Sequence, residues 1–177
     1  MSKPPVLLVC MGVSGSGKST VARSLVRQFE LEFCEGDDFH SPENKARMAA
    51  GEPLSDAMRE PWIDRLSAAL AAMRSEGRSC VLAWSALRRA HRQRIRALGF
   101  RTLFLHLQTD ECVIAGRLKT RPGHFFHPGL LHSQFLDLQP TADEPDVVAV
   151  DIGPELPTVV AASVEAVRAF LQGTRDA

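Results

Sequence analysis

Apolar runs of strand length alternate along the chain with stretches of helical periodicity. The apolar runs lie at residues 6–11, 31–35, 79–84, 101–107 and 146–151. Helical spacing of apolar residues fills the intervals at 17–29, 57–76, 87–98, 110–120 and 157–172. Parallel strands need long crossovers, which helices commonly supply. The pattern therefore predicts an α/β fold with a five-stranded parallel sheet covered by helices on both faces.

Two segments interrupt this alternation. Residues 36–61 and 121–145 are rich in proline, glycine and charge. Long insertions in compact α/β domains commonly bind substrates or cover them as lids, and ligands of open parallel sheets bind at the carboxyl ends of the strands. We expect one domain over residues 1–177, with a substrate-binding segment at about 37–62 and a lid insertion at about 121–140.

The segment GVSGSGKST, which follows the first apolar run, carries the most specific chemistry. It fits the pattern G-x-x-x-x-G-K-[ST] between a predicted strand and a predicted helix. In that context backbone N–H groups and the helix dipole face a phosphate chain, Lys18 reaches the β- and γ-phosphates, and the Ser19 hydroxyl coordinates Mg²⁺. The alternative is a glycine-rich turn that only connects two elements. The predicted nucleotide-binding residues are Gly12, Val13, Ser14, Gly15, Ser16, Gly17, Lys18, Ser19 and Thr20.

Two carboxylates, Glu35 and Asp37, follow the second predicted strand. Beside a phosphate-binding loop such groups can order the water shell of Mg²⁺ or accept a proton from an attacking hydroxyl. On an extended chain both side chains project to the same side, so they could share this work. The third strand ends without an aspartate, which makes the Glu35/Asp37 pair the favoured metal partner. Within the pair we assign Glu35 to the metal, directly or through water, and Asp37 to catalysis. Alternatively, the acidic turn only precedes a helix capped by Ser41, with Pro42 in its first position.

Arginines in three places could contact an anionic ligand. Arg59 follows the first insertion and could bind substrate or pair with nearby acids. Arg88 and Arg92 are four residues apart, which on a helix places them on one face, suited to a carboxylate or phosphate. An exposed basic face is the alternative for this pair. Arg117 and Arg121, which precede the second insertion, resemble lid arginines that neutralise a transferring phosphoryl group.

Composition excludes some classes of function. The 21 Lys and Arg balance 21 Asp and Glu, so the total shows no nucleic-acid footprint. No apolar run approaches the roughly 20 residues that span a bilayer, and the start of the chain lacks a signal-peptide pattern. The four cysteines lie far apart in the sequence, which favours reduced thiols over a disulfide framework or a zinc site. We expect a cytoplasmic protein that binds neither nucleic acid nor membranes.

Several segments beyond the phosphate-binding loop form a longer pattern. They are Gly36-Asp37-x-x-His40, Asn44 with Met48, Gly51-Glu52-Pro53-Leu54-x-Asp56, Arg59-x-Pro61-Trp62, Ser85-Ala86-Leu87, Arg117-Leu118-x-x-Arg121-x-Gly123-His124-Phe125-Phe126, Gln134-Phe135-x-x-Leu138-Gln139-Pro140 and Val150-Asp151-Ile152. In this order and spacing they resemble the bacterial-type gluconokinases of the P-loop kinase superfamily, relatives of the shikimate kinases. The resemblance runs from Val6 to about Phe170.

The resemblance implies a P-loop kinase fold and transfer of phosphate from ATP, with Mg²⁺, to the 6-hydroxyl of D-gluconate. It also implies a cytoplasmic homodimer. The residues it assigns to catalysis are Lys18, Asp37 and Arg121. Arg117 joins the nucleotide-binding residues. The residues it assigns to the substrate are Asp37, His40, Arg59, Arg88, Arg92 and His124.

Four positions depart from the family pattern. Met58 stands where an acid is usual, Trp84 where a small cysteine is usual, Arg88 replaces lysine and His91 replaces tyrosine. A large indole at the end of a strand could crowd the acceptor pocket. Two alternatives therefore stay open: a related kinase that acts on shikimate, another sugar acid or a nucleoside, and a nucleotide-binding module without transfer activity.

Overall fold

The computed structural model describes residues 4–120 and 128–173. The strands are β1 (Val6–Met11), β2 (Glu32–Glu35), β3 (Cys80–Ala83), β4 (Arg101–Gln108) and β5 (Val147–Asp151). The helices are α1 (Lys18–Phe29), α2 (Pro42–Ala49), α3 (Asp56–Ser75), α4 (Arg89–Arg96), α5 (Glu111–Thr120), α6 (Pro128–Asp137) and α7 (Leu156–Gln172). All strand pairs are parallel, in the order β2-β3-β1-β4-β5. The predicted sheet is confirmed, and each predicted element agrees with the structure to within two residues at either end.

Helices cover both faces of the sheet, as predicted. On one face Leu8 of β1 belongs to a buried cluster with Leu25 of α1 and Val167 of α7. On the other face Leu7 belongs to a cluster with Leu66 of α3. Successive residues of a strand point to opposite faces, so a strand buried on both sides has the continuous apolar sequence seen in β1.

The two insertions contain the helices that the alternation did not predict. The Oγ of Ser41 accepts a hydrogen bond from the backbone N–H of Asn44 at 3.2 Å, and α2 begins at Pro42, so the predicted cap is confirmed. Helix α6 occupies the second insertion from Pro128 onward. Residues 121–127 lie outside the described residues, so the expected lid at 121–140 is described only from residue 128 onward.

Connections after β1, β2 and β3 meet at the carboxyl edge of the sheet. The backbone N–H of Gly12, just after β1, donates to the carbonyl of Ser85, just after β3, at 3.2 Å. In the register of β2 with β3, Glu35 pairs with Ala83. The predicted phosphate-binding loop and the predicted carboxylates therefore come from neighbouring strand ends.

The structure does not conflict with the expectations of reduced cysteines and of no membrane-spanning segment. Cys10, Cys34 and Cys80 are buried free thiols, and Cys112 is an exposed one. Among the helices of the described residues, none is both long enough and apolar enough to cross a membrane.

Arg92, which the sequence assigned to the substrate, instead stabilises the fold. Its side chain is fully buried and donates to the carbonyl oxygens of Ala86 at 2.8 Å and Leu87 at 3.0 Å. Its Nε lies 3.0 Å from Oε2 of Glu144, a carboxylate that also accepts from Arg96. A guanidinium engaged in this way has no donor left for a ligand, so Arg92 leaves the substrate-binding set.

Replacing Arg92 should destabilise the protein strongly. Arg92→Met leaves Glu144 buried with one fewer cation, which we expect to lower the free energy of unfolding by about 3 kcal/mol or more. The matched control is Arg94→Met on the same helix, where the exposed partners are Glu60 and Asp64. We expect the control to lose at most about 1 kcal/mol. Urea denaturation compares them, and equal losses would contradict the structural role of Arg92.

Candidate active site

The loop between β1 and α1 folds through glycines in left-handed backbone conformations. The φ angles are +143° at Gly12, +81° at Gly15 and +89° at Gly17. A Cβ at Gly12 would lie 2.6 Å from the carbonyl oxygen of Leu107, so no side chain fits there. Gly17 is the N-cap of α1 and provides no side-chain cap. The loop therefore presents backbone at the positive end of a helix, as a phosphate-binding loop does.

The loop contains polar groups that a phosphate chain would satisfy. The hydroxyl of Ser16 is buried and has no hydrogen-bond partner among the described residues. The Nζ of Lys18 donates to the carbonyl of Val13 at 3.0 Å. Burial lowers the pKa of Lys18, an effect that the carboxylates of Asp37 and Glu35 oppose. The two carboxylates at the end of β2 therefore favour the charged form of Lys18.

Ser19 and Glu35, both predicted to hold the metal, are in direct contact. The Ser19 hydroxyl donates to Oε2 of Glu35 at 2.7 Å. Burial raises the pKa of Glu35, and the hydrogen bond from Ser19 opposes this. A hydroxyl and a carboxylate supply the hard oxygen ligands that Mg²⁺ prefers. The residues present therefore fit a magnesium ion, held directly or through water.

The chain bends directly after Glu35, so the side chains of Glu35 and Asp37 do not project to the same side, as they would on an extended strand. Residues Gly36–Phe39 form a 3₁₀ turn. The Trp62 indole N–H of α3 donates to the Gly36 carbonyl at 2.7 Å. The turn is thereby fixed to α3, with Glu35 directed to Ser19 and Asp37 free to face a different space.

Asp37 lines a cavity together with Lys18. We call it the Asp37 cavity; the residues that line it include Ser14, Lys18, Asp37, His40, Arg59 and Gln134. A second cavity has a volume of about 350 Å³, and we call it the Arg117 cavity. It is lined by residues 15–17 of the loop, Thr20, Val21, Arg117, Ile152, residues 154–156 and Val159. The phosphate-binding loop thus separates two spaces and contributes residues to both.

His40 forms one wall of the Asp37 cavity. Its ring stacks on Trp62 with centroids 3.8 Å apart, and the residue is 7% exposed. Burial lowers the pKa of His40 to about 4, and the Asp37 carboxylate, 3.9 Å away, opposes the shift. His40 is therefore a neutral, aromatic surface at neutral pH.

Trp84 does not crowd the Asp37 cavity. It is 1% exposed, lies in the core between the sheet and α3, and makes an edge contact with Trp62 at 6.4 Å between ring centroids. It does not line the Asp37 cavity. The Trp84 indole packs against Trp62 in the core, so it does not narrow the Asp37 cavity as the sequence suggested. The departure at His91 is buried as well, with its Nε2 3.4 Å from Glu60.

Arg88 lies beside Arg59, whereas the sequence paired it with Arg92 on one helical face. Arg88 precedes α4 as its N-cap and so shares no helical face with Arg92. Its Nη2 lies 2.8 Å from Oδ1 of Asp137, and Arg59 donates to the other oxygen of the same carboxylate. Arg59 also donates to Asp56 at 3.0 Å. Asp137, at the end of α6, is a site residue that sequence reasoning missed.

Gln134 is a second contact that was missed. Its Oε1 accepts from the backbone N–H of Ser14 at 2.6 Å, and its Nε2 donates to the Ser14 hydroxyl at 3.0 Å. Helix α6 therefore touches the phosphate-binding loop itself. The apolar spacing of Leu131, Phe135 and Leu138 could have predicted this helix.

The remaining predicted site residues divide into two groups. Arg117 of α5 lines the Arg117 cavity, where its Nη2 donates to the carbonyl of Gly153 at 3.1 Å. Arg121 and His124 lie outside the described residues, so their assigned roles stay predictions.

A parallel sheet with a phosphate-binding loop after its central strand and a cavity on either side of that loop defines a P-loop kinase. A family model described as an AAA domain matches residues 7–141. The chain is 42% identical to the thermoresistant gluconokinase of Escherichia coli strain K12, over 92% of this chain and 93% of that protein. The chain belongs to the gluconokinase family.

Solved structures agree with this family. A gluconokinase from Sinorhizobium meliloti 1021 is 34% identical with a TM-score of 0.80, covering 97% of this chain and 99% of that one. An unliganded sugar kinase from Janibacter sp. HTCC2649 is 37% identical with a TM-score of 0.86, covering 93% and 95%.

The buried, neutral His40 should make stability depend on pH. The pKa of His40 is lowered from 6.5 to about 4, so between these values the unfolded chain binds more protons. Stability should fall as the pH drops through this window, by at most about 1.4 kcal/mol per pH unit from this residue. His40→Gln should flatten the slope of unfolding free energy against pH. The control, His132→Gln at an exposed histidine, should keep the wild-type slope; equal slopes for all three proteins would refute the assignment.

Proposed function

We propose that this protein transfers the γ-phosphoryl group of ATP to the 6-hydroxyl of D-gluconate, giving 6-phospho-D-gluconate. The observation that carries the proposal is the position of the phosphate-binding loop between two cavities. Ser14 and Lys18 line the Asp37 cavity, and the glycines that follow Ser14 line the Arg117 cavity. A nucleotide on one side and an acceptor on the other would meet at Lys18.

ATP would bind with its base and ribose in the Arg117 cavity, between Arg117 and the start of α7. Its phosphates would follow the loop amides toward Lys18, and the buried Ser16 hydroxyl would gain a partner. Ser19 and Glu35 would hold Mg²⁺, which neutralises phosphate charge when bound. Because Lys18 is the first residue of α1, its ammonium group and the helix dipole act on the same negative charge.

In the transfer step the acceptor hydroxyl oxygen forms a bond to the γ-phosphorus, and the bond from that phosphorus to the bridging oxygen of ADP breaks. Asp37, which faces the same cavity as Lys18, takes the hydroxyl proton. Lys18 offsets the charge that develops on the transferring group. We propose that Arg121 adds to this. Most of the acceleration in such reactions comes from positioning and electrostatics.

The acceptor would bind in the Asp37 cavity. Arg59 and Arg88 are the cations available for its carboxylate, since Arg92 is buried with Glu144. The neutral His40 stacks on Trp62 beside Asp37 and would contact the polyol chain. His124 stays a proposed substrate contact. The protein would work as a cytoplasmic homodimer, as the family resemblance implies.

A panel of acceptors tests the proposed activity. In a coupled assay of ADP release we expect the highest kcat/KM with D-gluconate, because the cavity combines a base, a neutral aromatic wall and Arg59, with Arg88 beside Arg59. The panel should include shikimate, other sugar acids and nucleosides, with product identified by mass. A higher kcat/KM on shikimate or a nucleoside would replace the acceptor, and ATP binding without any transfer would refute the enzyme.

Asp37→Asn tests the base. The amide cannot take a proton, so we expect kcat to fall by at least about 100-fold while the affinity for ATP changes by less than about threefold. Asp38→Asn is the matched control, because Asp38 is the exposed neighbour in the same turn and does not line the Asp37 cavity. Loss of ATP binding in Asp37→Asn would instead assign Asp37 to the metal.

A further inference from the structure

Asp137 places a carboxylate of the protein on the two arginines that we assign to the acceptor. Arg88 donates to one oxygen at 2.8 Å and Arg59 donates to the other. The Asp137 side chain is 18% exposed and that of Arg59 is 14% exposed. The pair is therefore shielded from solvent and salt more than a surface ion pair would be.

The charges around this carboxylate already balance. Arg59 and Arg88 supply two positive charges, and Asp56 and Asp137 supply two negative ones. An acceptor carboxylate added to this group would leave an excess negative charge in a partly buried place. An acceptor carboxylate that replaced Asp137 on the arginines would keep the balance. Exchange is thus electrostatically favoured over addition.

Helix α6 does not need the ion pair to stay in place. Three residues before Asp137, Gln134 is held by the N–H of Ser14 at 2.6 Å. Two residues after it, the backbone N–H of Gln139 donates to the carbonyl of Leu87 at 2.9 Å. Asp137 can therefore release both arginines by a change of its own side chain, with the helix still anchored on either side.

The arginine pair also has donors that are not in use. The Nε of Arg88 and the indole Nε1 of Trp84 are both buried without an acceptor among residues 4–120 and 128–173. Arg59, Arg88 and Trp84 all line a small cavity of about 20 Å³. A space of that size holds one water molecule. A ligand oxygen, directly or through this water, would satisfy donors that the protein leaves unpaired.

We propose that Asp137 is a specificity-determining residue: it pairs with Arg59 and Arg88 where the acceptor carboxylate would bind, and the acceptor displaces it from both arginines. The inference rests on the proposed function. An acceptor with a carboxylate can replace Asp137 on the guanidinium groups. A neutral polyol supplies no charge to do so and leaves Asp137 in place. The protein thereby favours acids over neutral polyols, at some loss of affinity for the acid.

Removing the charge of Asp137 should strengthen binding of gluconate. In Asp137→Asn no carboxylate at position 137 competes for the two arginines, so we expect the KM for D-gluconate to fall roughly three- to tenfold, with kcat within about twofold of wild type. Asp137→Glu restores a competing carboxylate and should return KM toward the wild-type value. Isothermal titration of gluconate should show the same change in Kd, without turnover.

The control is Asp143→Asn, which removes one partner of Arg89 at an exposed position that lines neither the Asp37 cavity nor the small cavity beside Arg88. It should leave KM unchanged. Asp137→Ser removes the same charge with a smaller side chain and serves if the asparagine variant does not fold. An unchanged or raised KM in a folded, charge-free variant overturns the inference. If wild type itself fails to phosphorylate gluconate, the proposed function fails, and the two outcomes are distinguishable.

Discussion

The site depends on the close approach of a glycine backbone to its surroundings. At Gly12 a Cβ would meet the carbonyl of Leu107 at 2.6 Å, and at Gly15 it would meet the side chain of Leu118 at 2.8 Å. Residues with side chains could adopt neither the positive φ angles nor these contacts without displacing β4 or α5. This tight turn sets where α1 begins, and so places Lys18 and Ser19 at the carboxyl edge of the sheet.

The opposite wall of the site is fixed by a second close approach. A Cβ at Gly36 would lie 2.9 Å from the carbonyl of Ala83, so the turn that carries Asp37 lies directly against β3. Trp62 holds this turn from α3, and Trp84 fills the space beneath Trp62. Trp84, the large residue that departs from the family pattern, thus packs behind the turn that carries Asp37 and helps to hold it in place. Its position gives it no direct contact with the Asp37 cavity.

Sequence reasoning succeeded where the physical signal is local. The strands, the glycine-rich loop and the Ser41 cap each depend on residues within one turn or one strand. Partners of buried charges are not local: Arg92 and Glu144 are 52 residues apart, and Arg59 and Asp137 are 78 apart. The spacing of the arginines along the sequence does not indicate which distant carboxylate each of them will pair with. The acidic turn after Glu35 was an alternative in the sequence, but its 3₁₀ form was not predicted, because hydrogen bonds from Trp62 and Arg65 of α3 hold it.

Three arginines that the sequence could not tell apart have different chemical capacities in the fold. The guanidinium donors of Arg92 are all engaged by carbonyl oxygens and a buried carboxylate, so Arg92 stabilises the fold and cannot bind a ligand. Arg59 and Arg88 share the partly shielded carboxylate of Asp137, and the helix that carries Asp137 is held in place by other contacts. Both guanidinium groups can therefore exchange this carboxylate for one of a ligand. In a chain with zero formal net charge, affinity for anionic ligands has to arise from such local arrangements. An arginine of this site can bind an anionic ligand only if its carboxylate partner within the protein can be displaced.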